Sequence, residues 1–178
     1  MNIYQITFDV DNYRLLVPVS ESDFDGSNLW INGTLKLSSW RAPEMRYAEK
    51  QGDSEDIADI TQITPGFFAF SPKAIEALGD LLEKNGELFE LPVDGVTLHA
   101  FNPHNEIDCF DENNASYKVR RSGERGRLLK PAFDKSKIPA GTDLFQVPEL
   151  QQTQFFVGER FKGVVEGASL TGLNFEMV

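Results

Sequence analysis

The pattern of apolar and polar positions predicts two strand–helix–strand units in the second half of the chain. The first has an apolar strand at 67–70, then Ser71-Pro72 as helix N-cap and first helical residue. A stripe of apolar residues at helical spacing follows as far as Leu82. The second has an apolar strand at 155–157, a helix whose apolar face begins at Phe161, and a closing strand. In each unit, a final segment in which apolar and polar residues alternate predicts the closing strand.

The two units align with each other at an offset of 86 residues. Four identities fall at this offset: Phe70 with Phe156, Gly86 with Gly172, Phe89 with Phe175, and Glu90 with Glu176. Any strand–helix–glycine–strand unit has similar apolar spacing, so chance similarity and internal duplication are both open interpretations.

Elsewhere the pattern favours strands and turns over helices. Residues 2–10 alternate as a strand, and Asn32-Gly33 between apolar runs indicates a type I′ hairpin. Isoleucines recur every third position at 57–63, which is compatible with a short helix or an irregular packed segment. Residues 117–119 and 127–129 flank a glycine turn and are predicted to form a basic hairpin.

These elements predict an α+β fold with a mixed or antiparallel sheet, few short helices and the two similar strand–helix–strand units. The length of 178 residues fits a single domain, 1–178, with lobes at 1–63 and 64–178 as a subdivision. The chain has no apolar run long enough for a transmembrane helix, and its start does not resemble a signal peptide. We therefore expect a cytoplasmic protein that does not associate with a membrane.

Charge is distributed unevenly along the chain. The net charge is −11, yet residues 118–137 contain eight basic residues and two acidic ones, so that segment carries +6 and the remainder −17. An acidic chain is repelled by nucleic acid, which we do not expect as a partner. The basic segment either pairs with the acidic remainder or binds an anionic partner.

The sequence contains few residues suited to catalysis. His99, His104 and Cys109 are the only soft metal ligands or nucleophile–base candidates, and they fit no zinc spacing. No phosphate-binding or hydrolase motif is present. We therefore expect no catalytic residue, no metal and no cofactor, and a protein that is not an enzyme. A small enzyme using Cys109 and a histidine is the alternative.

Two stretches of the chain carry a resemblance to a known family. One is the helix beginning at Phe70-Ser71-Pro72 with the Gly86-Glu87 step and apolar strand after it. The other runs from Leu144-Phe145-Gln146-Val147 through 155–162 to Leu170-Thr171-Gly172-Leu173-Asn174-Phe175, and a hydrophobic–acidic motif at 107–111 adds to the similarity. Together these motifs, within residues 64–178, resemble the bacterial polymorphic-toxin immunity proteins, in particular group eleven of the Imm families. Cys109 departs from the pattern expected for that family.

The resemblance implies a protein that binds and neutralises a cognate toxin by a stoichiometric protein–protein interaction. An acidic protein associates rapidly with a basic toxin, and an acidic surface suits the groove of a nuclease. We predict that the toxin-facing surface includes an acidic cluster and two aromatic residues: Asp53, Glu55, Asp56, Asp59, Trp40 and Tyr47. A self-associating module is a further alternative, with a homodimer formed through a strand edge or through residues 29–31.

Overall fold

The computed structural model describes residues 2–20, 40–49, 56–64, 66–150 and 154–178. These residues form twelve strands and two helices, which confirms the predicted α+β class. In chain order the elements are β1 (Ile3–Phe8), β2 (Leu16–Pro18), β3 (Met45–Tyr47), β4 (Ile60–Thr64), β5 (Phe67–Phe70), α1 (Pro72–Glu83), β6 (Gly86–Val93), β7 (Val96–Pro103), β8 (Ser116–Val119), β9 (Arg125–Lys130), β10 (Leu144–Phe145), β11 (Phe155–Gly158), α2 (Glu159–Gly167) and β12 (Leu173–Met177). Neither helix in these ranges is long and apolar enough to cross a membrane.

The strands form two larger sheets and one separate hairpin. The first sheet has the order β10-β11-β1-β12 and is antiparallel. The second has the order β2-β3-β6-β7-β5-β4 and includes one parallel pair, β3 with β6. The predicted basic hairpin is confirmed as β8 paired with β9. Because β1 lies between β11 and β12, the first residues of the chain are paired with the last ones.

Both helices pack into one apolar cluster, the helix cluster, which also contains residues of both larger sheets. Helix α1 begins where the sequence predicts, since the Ser71 hydroxyl accepts a hydrogen bond from the Ala74 backbone N–H at 3.1 Å. The inward residues of the two helices are Ala74, Leu78, Leu81, Leu82, Phe161 and Val165. They meet phenylalanines of β5 and β11, so the helices hold the two sheets together.

The two strand–helix–strand units have the same topology. In each unit a third strand lies between the two others and runs antiparallel to both: β7 between β5 and β6, and β1 between β11 and β12. The helices begin at Pro72 and Glu159, and the closing strands begin at Gly86 and Leu173. Both pairs of starting residues are separated by 87 positions.

The offset of 86 taken from the sequence identities is therefore wrong by one residue. Phe70 packs in the cluster that contains the helices, whereas Phe156 packs in a different cluster on the other face of its sheet. At an offset of 87, Phe70 corresponds to Val157 and Leu78 to Val165, and all four pack in the helix cluster. A slip of one residue in a strand moves every side chain to the opposite face.

Residues 60–64 of the isoleucine-rich segment form strand β4, so of the two structures that the spacing allows the short helix does not form, and an irregular segment is confined to residues 57–59. Ile60 is buried in the helix cluster, Ile63 is buried in a second cluster, and Ile57 is 53% exposed. Residues three apart in a strand face opposite sides, which explains the spacing without a helix. The predicted hairpin at Asn32-Gly33 and the proposed pairing residues 29–31 lie outside the described residues.

The six-stranded sheet curls so that its edge strands β2 and β4 approach each other. The backbone N–H of Arg14 donates to the carbonyl of Asp56 at 3.2 Å, and the Thr61 hydroxyl donates to the carbonyl of Arg14 at 3.1 Å. The curled face carries the second apolar cluster: Leu16, Met45, Ile63, Phe67, Ala69, Phe89, Leu91, Val93, Leu98 and Ala100.

A third apolar cluster covers the outer face of the four-stranded sheet. It comprises Ile3, Cys109, Ile138, Phe145, Val147, Leu150 and Phe156. Leu128 of β9 packs against this cluster and so attaches the basic hairpin to the body of the protein.

Candidate functional site

The residues predicted to face a toxin have different surroundings in the structure. Asp53 and Glu55 lie outside the described residues. Asp56 is exposed, and its backbone pairs with Tyr13 in an isolated bridge. The Asp59 side chain, in contrast, is only 17% exposed. The contact of these acidic residues with a toxin stays a prediction.

Asp59 joins helix α1 to the turn that precedes β12. Its carboxylate lies 3.0 Å from Lys73 Nζ and accepts hydrogen bonds from the Thr171 backbone N–H at 3.1 Å and the Ser71 hydroxyl at 3.3 Å. Burial alone raises the pKa of Asp59, but the bonds from Lys73 and Thr171 outweigh it, so the pKa is lowered. The carboxylate therefore has a structural role, whatever its part in binding.

Trp40 and Tyr47 both pack against the second apolar cluster. The Trp40 ring stacks on Phe89 with centroids 4.8 Å apart, and its indole N–H donates to the carbonyl of Glu90 at 3.0 Å. Burial is the main cause of the raised pKa of Tyr47, and the nearby charge of Asp94 raises it further. The structure thus brings the two aromatic residues to one cluster and accounts for both as packing residues.

Cys109 has the properties of a packed apolar side chain. It is fully buried, and burial together with the nearby charge of Glu149 raises its pKa to about 11. A thiol with such a pKa is protonated near neutral pH and is a weak nucleophile. His104 lies 3.2 Å from the carboxylate of Glu87, and His99 is on β7 between Phe70 and Glu90. In the described ranges, no group of three or more His, Cys, Asp or Glu side chains is arranged to hold a metal ion.

The β8–β9 hairpin presents a concentrated positive charge. Arg125 pairs with Glu112 at 2.8 Å and lies over the Tyr117 ring, 5.0 Å from its centroid. Five other exposed cations form no ion pair with any residue that the structure describes: Lys118, Arg120, Arg121, Arg127 and Lys130. Pairing with the acidic remainder thus accounts for only part of the basic segment.

Apolar side chains are also exposed on this hairpin. Val119 is 68% exposed and Leu129 is 56% exposed. Arginine is enriched at protein–protein interfaces, which have an apolar core, so the hairpin carries side chains of the kinds found at such interfaces.

A pocket of about 390 Å³ lies between the hairpin and the segment before β11. Its apolar walls and polar groups come from Phe110, Tyr117, Leu128, Leu150, Arg127, Glu149 and Gln154. The side-chain oxygen of Gln154 is buried, and no residue that the structure describes donates a hydrogen bond to it. This volume is within the range of sites that bind small ligands or inserted side chains, roughly 300–1,000 Å³. We define the hairpin and this pocket together as the hairpin surface.

The sequence predicted the hairpin but not the pocket. Tyr117 and Leu128 are opposite each other in the β8–β9 register, and the other wall comes from Leu150 and Gln154, farther along the chain. No local pattern links residues so far apart.

The chain matches no model of a known protein family and no curated protein, so its resemblance to the immunity proteins remains a prediction from its sequence motifs.

Proposed function

We propose that this protein is an immunity protein that binds a cognate bacterial toxin and neutralises it by stoichiometric association, without a cofactor. The observation that carries the proposal is the hairpin surface, where an open pocket lies beside exposed apolar residues and beside cations that have no ion-pair partner among the described residues. The resemblance of residues 64–178 to the immunity proteins supplies the class of partner.

The composition of the hairpin surface suits a protein partner. Arginine, tyrosine and tryptophan are enriched among the residues that dominate binding energy at protein interfaces. Here Arg127 and Tyr117 line one pocket, and Val119 and Leu129 are exposed on the two strands of the same hairpin. A pocket with apolar walls surrounded by charged residues has the layout of an interface core and its rim.

The acidic remainder of the chain contributes to association by a separate mechanism. Outside the basic segment 118–137 the chain carries −17, which attracts those parts of a toxin's surface that are basic. Such steering raises the association rate more than the final affinity, and it weakens with salt. An association rate that does not change between low and high salt would contradict this part of the proposal.

The first experiment is recovery of the partner from the native cells. The full-length protein is tagged and purified, and bound proteins are identified by mass spectrometry. We expect one stoichiometric partner that arrests growth when expressed alone and is tolerated when this protein is co-expressed. A partner that is harmless alone, or a folded protein that gives no protection, would contradict the proposal.

A matched pair of double variants tests the role of the hairpin. Arg120→Glu with Arg121→Glu reverses two exposed hairpin charges, and Arg41→Glu with Arg46→Glu reverses two exposed charges elsewhere. The net charge changes equally in both variants, so any difference in protection reports on position. We expect the hairpin variant alone to lose protection.

A further inference from the structure

We propose that strand β12 pairs antiparallel with β12 of a second copy of this chain, with Phe175 opposite Phe175. The four-stranded sheets of the two copies then join into one continuous sheet. This pairing is independent of the proposed function, because it involves the edge of the four-stranded sheet and not the hairpin surface.

The two edges of the four-stranded sheet differ in how they are covered. Beyond β10, the N–H of Gln146 donates to the carbonyl of Asn105 at 2.9 Å, and the N–H of Ile107 donates to the carbonyl of Gln146 at 2.9 Å. The Asn105 side-chain amide also donates to the carbonyl of Leu144 at 2.8 Å. The backbone of residues 173–177 has no partner except β1 among the residues that the structure describes. The sheet therefore has one covered edge, at β10, and one open edge, at β12.

The backbone groups on the open edge belong to alternate residues of β12. The N–H of Val178 donates to the carbonyl of Ile3 at 3.1 Å, in the same register that pairs β12 with β1. Hydrogen-bonded pairs alternate along an antiparallel ladder, so the even-numbered residues of β12 bond to β1. The N–H and carbonyl groups of Leu173, Phe175 and Met177 therefore point away from β1, toward the open edge.

Strand β12 lacks the features that commonly protect an exposed edge. Proline, lysine and β-bulges prevent pairing at the edges of many natural sheets. Residues 173–177 contain no proline and no basic residue, and their register with β1 is continuous. Met177 is 57% exposed and Phe175 is half-buried, so apolar surface also lies along this edge. Such an edge is suited to pairing with another strand.

The sequence of β12 favours a second copy as the partner strand, because it is complementary to itself. In an antiparallel pair centred on Phe175, Leu173 faces Met177 of the second copy and Asn174 faces Glu176 of the second copy. The residues whose N–H and carbonyl groups point outward then lie opposite one another and exchange hydrogen bonds. Apolar residues face apolar ones, and each carboxylate faces an amide.

Other registers are less favourable. A slip of one residue places outward groups opposite inward ones, so the hydrogen bonds are lost. A slip of two residues in one direction places Glu176 opposite Glu176, and like charges directly opposite are destabilising. A slip of two in the other direction leaves Glu176 and Met177 without a strand partner. The favoured register is symmetric, so the contact closes as a two-fold dimer.

Sedimentation equilibrium of the full-length protein tests for the dimer. We expect the mass to rise with protein concentration from the 20.0 kDa of one chain to twice that value. A mass that stays at one chain up to the highest soluble concentration would overturn the proposal. So would a mass that continues to grow beyond two chains, because a symmetric strand pair closes.

A matched pair of variants at Met177 tests whether β12 forms the contact. Met177→Pro removes an outward N–H but no bond to β1, and proline is tolerated at such edge positions. We expect the dissociation constant of the dimer to rise about tenfold or more, since each copy loses a backbone donor. Met177→Ala keeps the N–H and should have a smaller effect. Both should retain the circular dichroism spectrum of the parent, and equal dissociation constants would contradict the assignment.

Cysteine cross-linking tests the register without a proline. Asn174→Cys and Glu176→Cys proteins are mixed and oxidised, while the native Cys109 is buried. In the mixture the new cysteines lie directly opposite, with Cα atoms about 4.5 Å apart, which suits a disulfide. In either variant alone they are diagonal neighbours about 7–8 Å apart, beyond easy reach. We expect cross-linked dimers chiefly from the mixture. No cross-link in the mixture, or equal cross-linking of Glu176→Cys alone, would overturn the proposed pairing.

Discussion

Replacing Asp59 with alanine should destabilise the protein by disconnecting helix α1 from the turn before β12. The substitution removes hydrogen bonds from Lys73, from the Ser71 hydroxyl, and from both the N–H and the hydroxyl of Thr171. Thr171 is 112 positions away from Asp59, so these bonds join distant parts of the chain. Ser71 is also the N-cap of α1, which ties the same junction to the start of the helix.

The size of the effect follows from the exposure of each partner. The Lys73 side chain is 53% exposed, so its ion pair contributes less than about 1 kcal/mol. The Thr171 N–H is partly buried, and leaving it without an acceptor costs about 1–3 kcal/mol. Together we expect a loss of about 2–4 kcal/mol in the free energy of unfolding. That is a large fraction of the roughly 5–15 kcal/mol typical of a folded domain.

Urea unfolding followed by circular dichroism measures the loss directly. Asp56→Ala is the matched control, because Asp56 belongs to the same acidic cluster but is exposed. It should change the free energy of unfolding by no more than about 0.5 kcal/mol. If Asp59→Ala costs no more than Asp56→Ala, the junction does not stabilise the protein as argued.

The pH dependence provides a second check. The pKa of Asp59 is lowered in the folded state, so its stabilisation is complete above the ordinary carboxyl pKa of about 3.9. The stabilisation is lost as the pH falls through the lowered value in the folded protein. The difference in stability between the parent and Asp59→Ala should therefore shrink in acid, and a difference that grew would contradict the assignment.

Three further predictions concern glycine, cysteine and the ion pair between exposed Arg160 and buried Asp143. Gly172→Ala should prevent or severely weaken folding, because Gly172 has φ +104° and an added Cβ would lie 2.6 Å from the Cβ of Ala58. Gly163→Ala, where the helix has open space, should instead stabilise by about 0.5–1 kcal/mol, and urea midpoints compare the two. Cys109 should react with a thiol reagent only after unfolding, since burial raises its pKa to about 11; rapid labelling of the native protein would support the enzyme alternative. Arg160→Met should lower the urea midpoint by leaving the largely buried carboxylate of Asp143 without its partner at 3.1 Å, and an unchanged midpoint would contradict this.

Local signals in the sequence determined the helices, the hairpin and the fold class. The helix start at Ser71-Pro72 is set by a side-chain cap and a fixed φ, which involve only adjacent residues. The β8–β9 hairpin is formed by two short runs around Gly123, which has φ +84°. These features need no information from the rest of the chain.

Tertiary structure alone decided which face of each strand is buried, and it corrected the repeat offset. Phe70 and Phe156 are identical residues in similar strands, yet they pack in different apolar clusters. The spacing of Ile60 and Ile63 is compatible with a short helix or an irregular segment, because a sequence does not distinguish the two faces of a strand when both are buried.

The candidate site shows the same division between local and long-range information. Charge and alternation in the sequence predicted a basic hairpin, but the pocket beside it needs Tyr117 and Leu128 to meet Leu150 and Gln154. Asp59 likewise appeared to be one more acidic surface residue until the fold placed Thr171 against it. Local propensity depends on a few neighbouring residues, whereas pockets and buried hydrogen bonds depend on contacts between distant segments, which a single sequence does not specify.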